Sequence, residues 1–219
     1  MEIETACGPA RVVIEGLAQG PAFLLALTHG AGGNVEAPDL LAVRDAAVRL
    51  GGAVARITQP YRVSGARAPG SAVRQDAAWI EIIAVLRDVV GLAAGPGEPL
   101  RLVQGGRSNG ARVACRTAEA ADAVAVIALA FPLHPPGRPD RSRAAELRIP
   151  GRKLLVVNGD RDPFGVPGRR AGARVVVLAG ETHALSRNPA AVGRAVAAWL
   201  PRVLSLDRAA ARKSACPPG

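Results

Sequence analysis

Short apolar runs alternate along the chain with longer stretches in which apolar residues recur at helical spacing. The runs at 11–15, 23–28, 53–58, 100–104, 123–130, 153–158 and 174–178 predict strands. The spacing at 39–50, 72–92, 109–121 and 189–200 predicts helices. Such alternation predicts an α/β fold, a mostly parallel sheet flanked by helices on both faces. Gly20-Pro21 separates the first two runs and predicts that they pair as an antiparallel hairpin. Gly51-Gly52 stops the first helix, and Asn188 before Pro189 is an N-cap followed by proline at the first helical position. Pro201 is expected to interrupt that last helix. Residues 59–70 and 131–150 lack periodicity and read as loops, the second long enough to suggest a role in function. One domain is expected over 1–205, with 206–219 a flexible C-terminal tail that has no apolar face to bury.

Aromatic residues make up only 3% of the 219 residues, so Ala and Val are expected to fill much of the core. The net charge of +10 raises nucleic acid as a partner. Lys153 and Lys213 are the only lysines, however, and the arginines are scattered. The densest basic cluster, Arg138, Arg141, Arg143, Arg148, Arg152 and Lys153, lacks interleaved aromatic residues on which bases stack. It reads as a solvated face, and nucleic acid is not the expected partner. Cys7, Cys115 and Cys216 are odd in number and in no metal-ligand spacing, which suits a reducing compartment. No secretory leader is visible at the start, and no apolar run approaches the ~20 residues of a membrane span. A cytoplasmic protein without membrane association is expected, its oligomeric state left open.

Gly106-Arg107-Ser108-Asn109-Gly110 is G-x-S-x-G, placed after a predicted strand and before a predicted helix. With 25 glycines in the chain the string would arise by chance about one time in ten, so its placement carries the weight. A serine on a sharp strand-to-helix turn needs glycine two residues to either side, because the backbone is strained and crowded. The helix that follows turns its amide dipoles toward the hydroxyl, and the Asn109 N–H is an expected oxyanion donor.

A serine hydroxyl needs a base, most often a histidine held by a carboxylate. Of His29, His134 and His183, only His183 follows both the serine and an acid in the chain order Ser, Asp, His of α/β-hydrolases. Asp162 lies past the glycine that ends the 153–158 strand and is preferred over Asp160, a more natural turn residue. Upstream, Thr28-His29-Gly30-Ala31-Gly32-Gly33-Asn34 follows a strand and has the character of an H-G-G-G-type loop. Its Ala31 N–H is the expected second oxyanion donor. It carries neither dinucleotide nor P-loop glycine spacing, and no motif calls for a cofactor or a metal. His29, Tyr61, Arg62, Arg107, His134 and Phe164 are candidates to line the pocket. Of these, His29 is expected to steady the glycine loop, and His134, between leucine and prolines, to pack rather than react. Trp79 and Trp199 are expected in the core.

These motifs resemble those of the dienelactone-hydrolase-like α/β-hydrolases, and more narrowly the group that includes the testis-expressed hydrolase-like protein and a subunit of a nonspecific-lethal chromatin complex. The similar segments are THGAGGN at 28–34, GGRSNGAR at 105–112, FPLHPPGRP at 131–139, NGDRDPFG at 158–165 and GETHAL at 180–185. The resemblance implies an α/β-hydrolase core without a cap domain, with Ser108, Asp162 and His183 in the triad positions. Asn109 stands where the group usually has methionine, and Ala111 where it usually has glycine.

The expected function is therefore a serine hydrolase that cleaves a small ester or related acyl substrate through an acyl-enzyme. The alternative is a catalytically silent scaffold or binding module that keeps the fold, suggested by the basic surface and the chromatin-complex resemblance.

Overall fold

A computed structural model describes residues 1–17, 20–94 and 100–205. Eight strands form one sheet: β1 (Glu2–Ile3), β2 (Ala10–Glu15), β3 (Phe23–Thr28), β4 (Ala53–Thr58), β5 (Arg101–Arg107), β6 (Ala125–Leu129), β7 (Lys153–Gly159) and β8 (Ala173–Leu178). Their order is β1-β2-β4-β3-β5-β6-β7-β8. The helices are α1 (Pro38–Arg49), α2 (Pro60–Val63), α3 (Ala72–Ala94), α4 (Asn109–Thr117) and α5 (Pro189–Leu204). From β4 to β8 every pairing is parallel, while β2 runs antiparallel to β4. This is the α/β-hydrolase fold, and each parallel strand delivers the loop after it to one edge of the sheet.

The side chains of β3 show how the layers are held. Phe23, Leu25 and Leu27 face one side, among Leu40 and Val43 of α1 and Val192, Val196 and Trp199 of α5. Leu24 and Ala26 face the other, against Trp79, Ile82, Ile83 and Leu86 of α3. The two-residue period of the strand thus buries both faces of the central sheet. Leucine joins alanine and valine throughout these clusters. The Trp79 indole N–H donates to the buried Gln104 side chain at 2.9 Å, and the Gln104 amide donates to Ala114 O of α4, which ties both helices to β5.

Several sequence expectations change. The 11–15 and 23–28 runs are not a hairpin, because β4 inserts between β2 and β3 and pairs with both. Strand β5 continues through Gly105 and Gly106 to Arg107. Glycine there marks close approach rather than a strand end: a Cβ on Gly105 would meet Ile127 O at 2.6 Å. Helix α4 stops at Thr117, short of 121. The 59–70 stretch contains the single turn α2, which starts at Pro60. Helix α5 runs through Pro201 to Leu204, with the one i→i−4 bond that position 201 would donate missing. Asn188 caps it, accepting from Ala191 N at 3.1 Å. Between β6 and β7 the chain forms only one 3₁₀ turn, Ala144–Leu147.

The expected tail at 206–219, with Lys213 and Cys216, lies outside the described residues. Arg138, Arg141 and Arg148 of the basic cluster are exposed. Cys7 and Cys115 are free thiols, and burial pushes the Cys115 thiol up to about 12. Among the described residues no helix is long and apolar enough to cross a membrane.

Candidate active site

Ser108 sits between β5 and α4 with φ 53° and ψ −113°, a left-handed conformation that costs free energy in any residue but glycine. The surroundings hold it there. Its N–H donates to Leu129 O at 2.9 Å, and a Cβ on Gly106 would meet Thr28 O and the Gly110 carbonyl carbon at 2.7 Å. A Cβ on Gly110 would meet His29 O at 2.7 Å. Both glycines of the motif are therefore needed so that the end of β3, the turn and the first turn of α4 can touch.

His183 lies in the loop after β8. Its Nε2 is 2.9 Å from Ser108 Oγ, and its Nδ1 is 2.9 Å from Asp162 Oδ2 and 3.1 Å from Oδ1. The Asp162 side chain is fully buried and the His183 side chain 21% exposed, so the dyad is shielded at its acid end and open at its base. Asp162 Oδ1 also accepts from Phe164 N at 2.9 Å and Oδ2 from Asn158 Nδ2 at 3.2 Å. The Phe164 ring packs against the imidazole, centroids 4.2 Å apart. Asp160 instead accepts from Gly180 N at 2.8 Å, the part of a turn residue.

The glycine-rich loop after β3 runs alongside. A Cβ on Gly30 would lie 3.1 Å from Ser108 Cβ, so Ala31 follows a residue in contact with the serine. The Asn109 N–H lies in the first turn of α4, where amides have no intrahelical acceptor. Neither it nor the Ala31 N–H donates to a protein group among the described residues. His29 is buried. Its Nδ1–H donates to Gly30 O at 2.8 Å and its Nε2 accepts from Gln59 N at 3.1 Å, a pattern that fits the neutral ring. Burial also lowers its pKa. The Tyr61 hydroxyl donates to Ala31 O at 3.0 Å, and burial raises its pKa to about 12. Both side chains brace the loop from β4 and α2.

Arg62 donates within its own loop to Ala66 O at 3.3 Å and touches no member of the Ser108, Asp162 and His183 group. His134 lies beneath Gly165, where a Cβ would strike its ring, and its N–H donates to Phe164 O at 3.0 Å. It buttresses the loop that carries Asp162. Arg107 donates to His183 O at 2.8 Å and pairs with Asp39 at 3.2 Å.

Sequence reasoning missed four residues. Asn158 joins the loops after β6 and β7, accepting from Phe131 N at 3.0 Å and donating to Phe131 O at 3.2 Å. The one polar side chain ending an apolar strand run was its signal. Glu181 accepts from Asn188 N at 2.5 Å and anchors the His183 loop to the start of α5. Gln75 accepts from Asn109 Nδ2 at 2.6 Å, and Asp39 is buried in the first turn of α1. Nothing local distinguishes these last two. A cavity of about 330 Å³ has Tyr61, Gln75, Ala78, Trp79 and Ile82 among its lining residues; none of Ser108, Asp162 and His183 lines it.

A family model described as "Alpha/beta hydrolase domain" matches residues 21–183. A lidless α/β serine hydrolase from Xanthomonas campestris superposes with a TM-score of 0.73 at 19% identity, over 92% of this chain and 93% of that one. Est1E from Butyrivibrio proteoclasticus, solved with ferulic acid, gives 0.68 at 17% identity over 94% and 99%. An esterase from Pyrobaculum calidifontis gives 0.64 at 17% identity over 94% and 84%. No curated protein matches the chain in sequence. With the sheet order, the serine turn and the family match in agreement, the chain belongs to the α/β-hydrolase domain family.

Proposed function

We propose that the protein is a serine hydrolase that cleaves a small ester or related acyl substrate through an acyl-enzyme. One observation carries this reading: the continuous hydrogen-bond chain from Ser108 Oγ through His183 to the buried Asp162, each step 2.9 Å. Asp162 accepts from Nδ1–H and so leaves Nε2 free to take the serine proton. Ser108 Oγ then attacks the acyl carbonyl, and the Asn109 and Ala31 amides stabilise the negative charge on its oxygen. Collapse expels the alcohol or thiol, which takes its proton from His183. Water, deprotonated by the same nitrogen, releases the acid and restores Ser108.

The esterases among the structural neighbours support an ester over other acyl bonds. The FPLHPPG and RDPFG segments support placement in the dienelactone-hydrolase-like group. The cavity bounded by Tyr61 and Gln75 serves as the acyl pocket in this reading. Two of its polar residues, Tyr61 and Gln75, hydrogen-bond the Ala31 carbonyl and the Asn109 side chain, so the pocket is tied to the two residues whose amides are the proposed donors.

The test is fluorophosphonate labelling together with a panel of activated esters and thioesters. Wild type is expected to label and turn over, and Ser108→Ala to do neither, with kcat lower by on the order of 10⁶-fold. Equal labelling of the two would overturn the reading.

A further inference from the structure

The loop carrying His183 follows β8, yet its imidazole meets a serine at the end of β5. Strands β6 and β7 lie between. Of the hydrogen bonds by which the loop reaches other strands and their turns, most go only to the turn after β7: Arg161 N donates to Glu181 O at 3.0 Å and Gly180 N to Asp160 Oδ1 at 2.8 Å. Toward β5, among the described residues, it has two. One is the Ser108 to His183 bond itself, and the other is from Arg107 Nη2 to His183 O at 2.8 Å.

Arg107 is the residue before the serine, so its backbone moves with Ser108 while its guanidinium holds the histidine's own carbonyl. The guanidinium is held in turn. Its Nε lies 3.2 Å from Asp39 Oδ2, and the Asp39 side chain is completely buried. Neither Asp39 oxygen accepts a well-formed hydrogen bond. Burial pushes the carboxyl up to about 6 against the pull of Arg107 and of the amides at the start of α1. A carboxylate left so exposed to desolvation is weak evidence of stabilisation and better evidence of orientation.

We propose that Arg107, oriented by the buried Asp39, is a positioning residue that fixes the His183 loop at hydrogen-bonding distance from Ser108. The proposal rests on the serine-hydrolase reading above. The planar guanidinium reaches Asp39 through Nε and the His183 carbonyl through Nη2, a fixed pair of points that lysine does not reproduce. The bond to the carbonyl is charge-assisted and so stronger than a neutral one. A displacement of His183 by about 1 Å is enough to cost two orders of magnitude in rate.

The test compares wild type, Ser108→Ala, the double variant Asp39→Asn/Arg107→Met and the single variant Arg107→Lys. The readouts are fluorophosphonate labelling rate, steady-state kinetics on p-nitrophenyl acetate and thermal unfolding. The double variant leaves no unpaired buried charge and is expected to fold. Its kcat and labelling rate should fall about tenfold to a hundredfold with KM within about threefold, a split that loss of stability alone does not produce. Arg107→Lys, which keeps a cation beside Asp39, should be folded and intermediate in kcat, and it carries the test if the double variant does not fold. Wild-type kcat in a folded double variant, or in Arg107→Lys where that variant carries the test, overturns the proposal and leaves the hydrolase reading intact. Wild type that does not label at Ser108 removes both.

Discussion

The two sides of the site are built in different ways. On the side of β3 and β5, position is set chiefly by missing side chains: Gly106 and Gly110 let three backbone segments meet at distances no Cβ allows, and Gly30 lies tight against Ser108 Cβ. On the side of β7 and β8 a glycine contact is present too, Gly159 against the Glu181 backbone, but polar side chains are added to it, with Asn158 and His183 converging on Asp162 and Glu181 pinning the start of α5. Close packing is stiff and unforgiving of added volume, since the neighbours are backbone and have no rotamer to move into. A hydrogen-bond network tolerates a change of volume but not the loss of a donor or acceptor. In the proposed reading, Gly106 and Gly110 therefore tie activity to stability, and the network around Asp162 lets them separate.

That contrast is broken most strongly at Asp162. Asp162→Asn keeps the shape but loses the charge and the tautomer control, so kcat should fall by about 10⁴-fold while the fold is retained. Steady-state kinetics beside a circular-dichroism melt would check it, and a parallel loss of stability would blur the distinction. Gly106→Ala should do the opposite. The added methyl meets Thr28 O and Gly110, so thermal unfolding should shift by the equivalent of about 1–3 kcal/mol, and serine labelling should fall with it. The third effect is a slope of stability with pH, with no loss of activity attached to it. The folded-state pKa of Asp39 is raised from 3.8 to about 6, so between those values the folded protein keeps a proton that the unfolded chain has released. Wild-type stability should therefore fall, relative to Asp39→Asn, as pH rises from about 4 to about 6, and run level above. Urea melts across that range measure it, and parallel curves would mean that Asp39 does not titrate there.

The grouping of the candidate site's three side chains was legible to the degree that local pattern encodes it. Ser108, Asp162 and His183 each end or follow an apolar run, and in a parallel sheet the ends of such runs share one edge. Strand neighbours were not legible in the same way. Gly20-Pro21 signals a turn but cannot say that β4 will insert between β2 and β3. The two glycines of β5 read as a strand end because their purpose, contact with β3, β6 and α4, lies outside their segment. Asp39 and Gln75 are invisible for the same reason. Each matters through one distant partner, Arg107 and Asn109, and neither interrupts the helical pattern around it. Trp79 and Trp199 lie on the apolar faces of their helices, and both are buried as that spacing implied.

The backbone at Ser108 carries a further consequence. Its positive φ is one that glycine adopts without steric penalty, so Ser108→Gly would relieve strain at the very position where the proposed mechanism needs a hydroxyl. Selection for thermal stability and selection for turnover thus pull this residue in opposite directions. A library ranked only by melting temperature would favour replacing the proposed nucleophile, and a stable variant of this chain is no evidence of a working one.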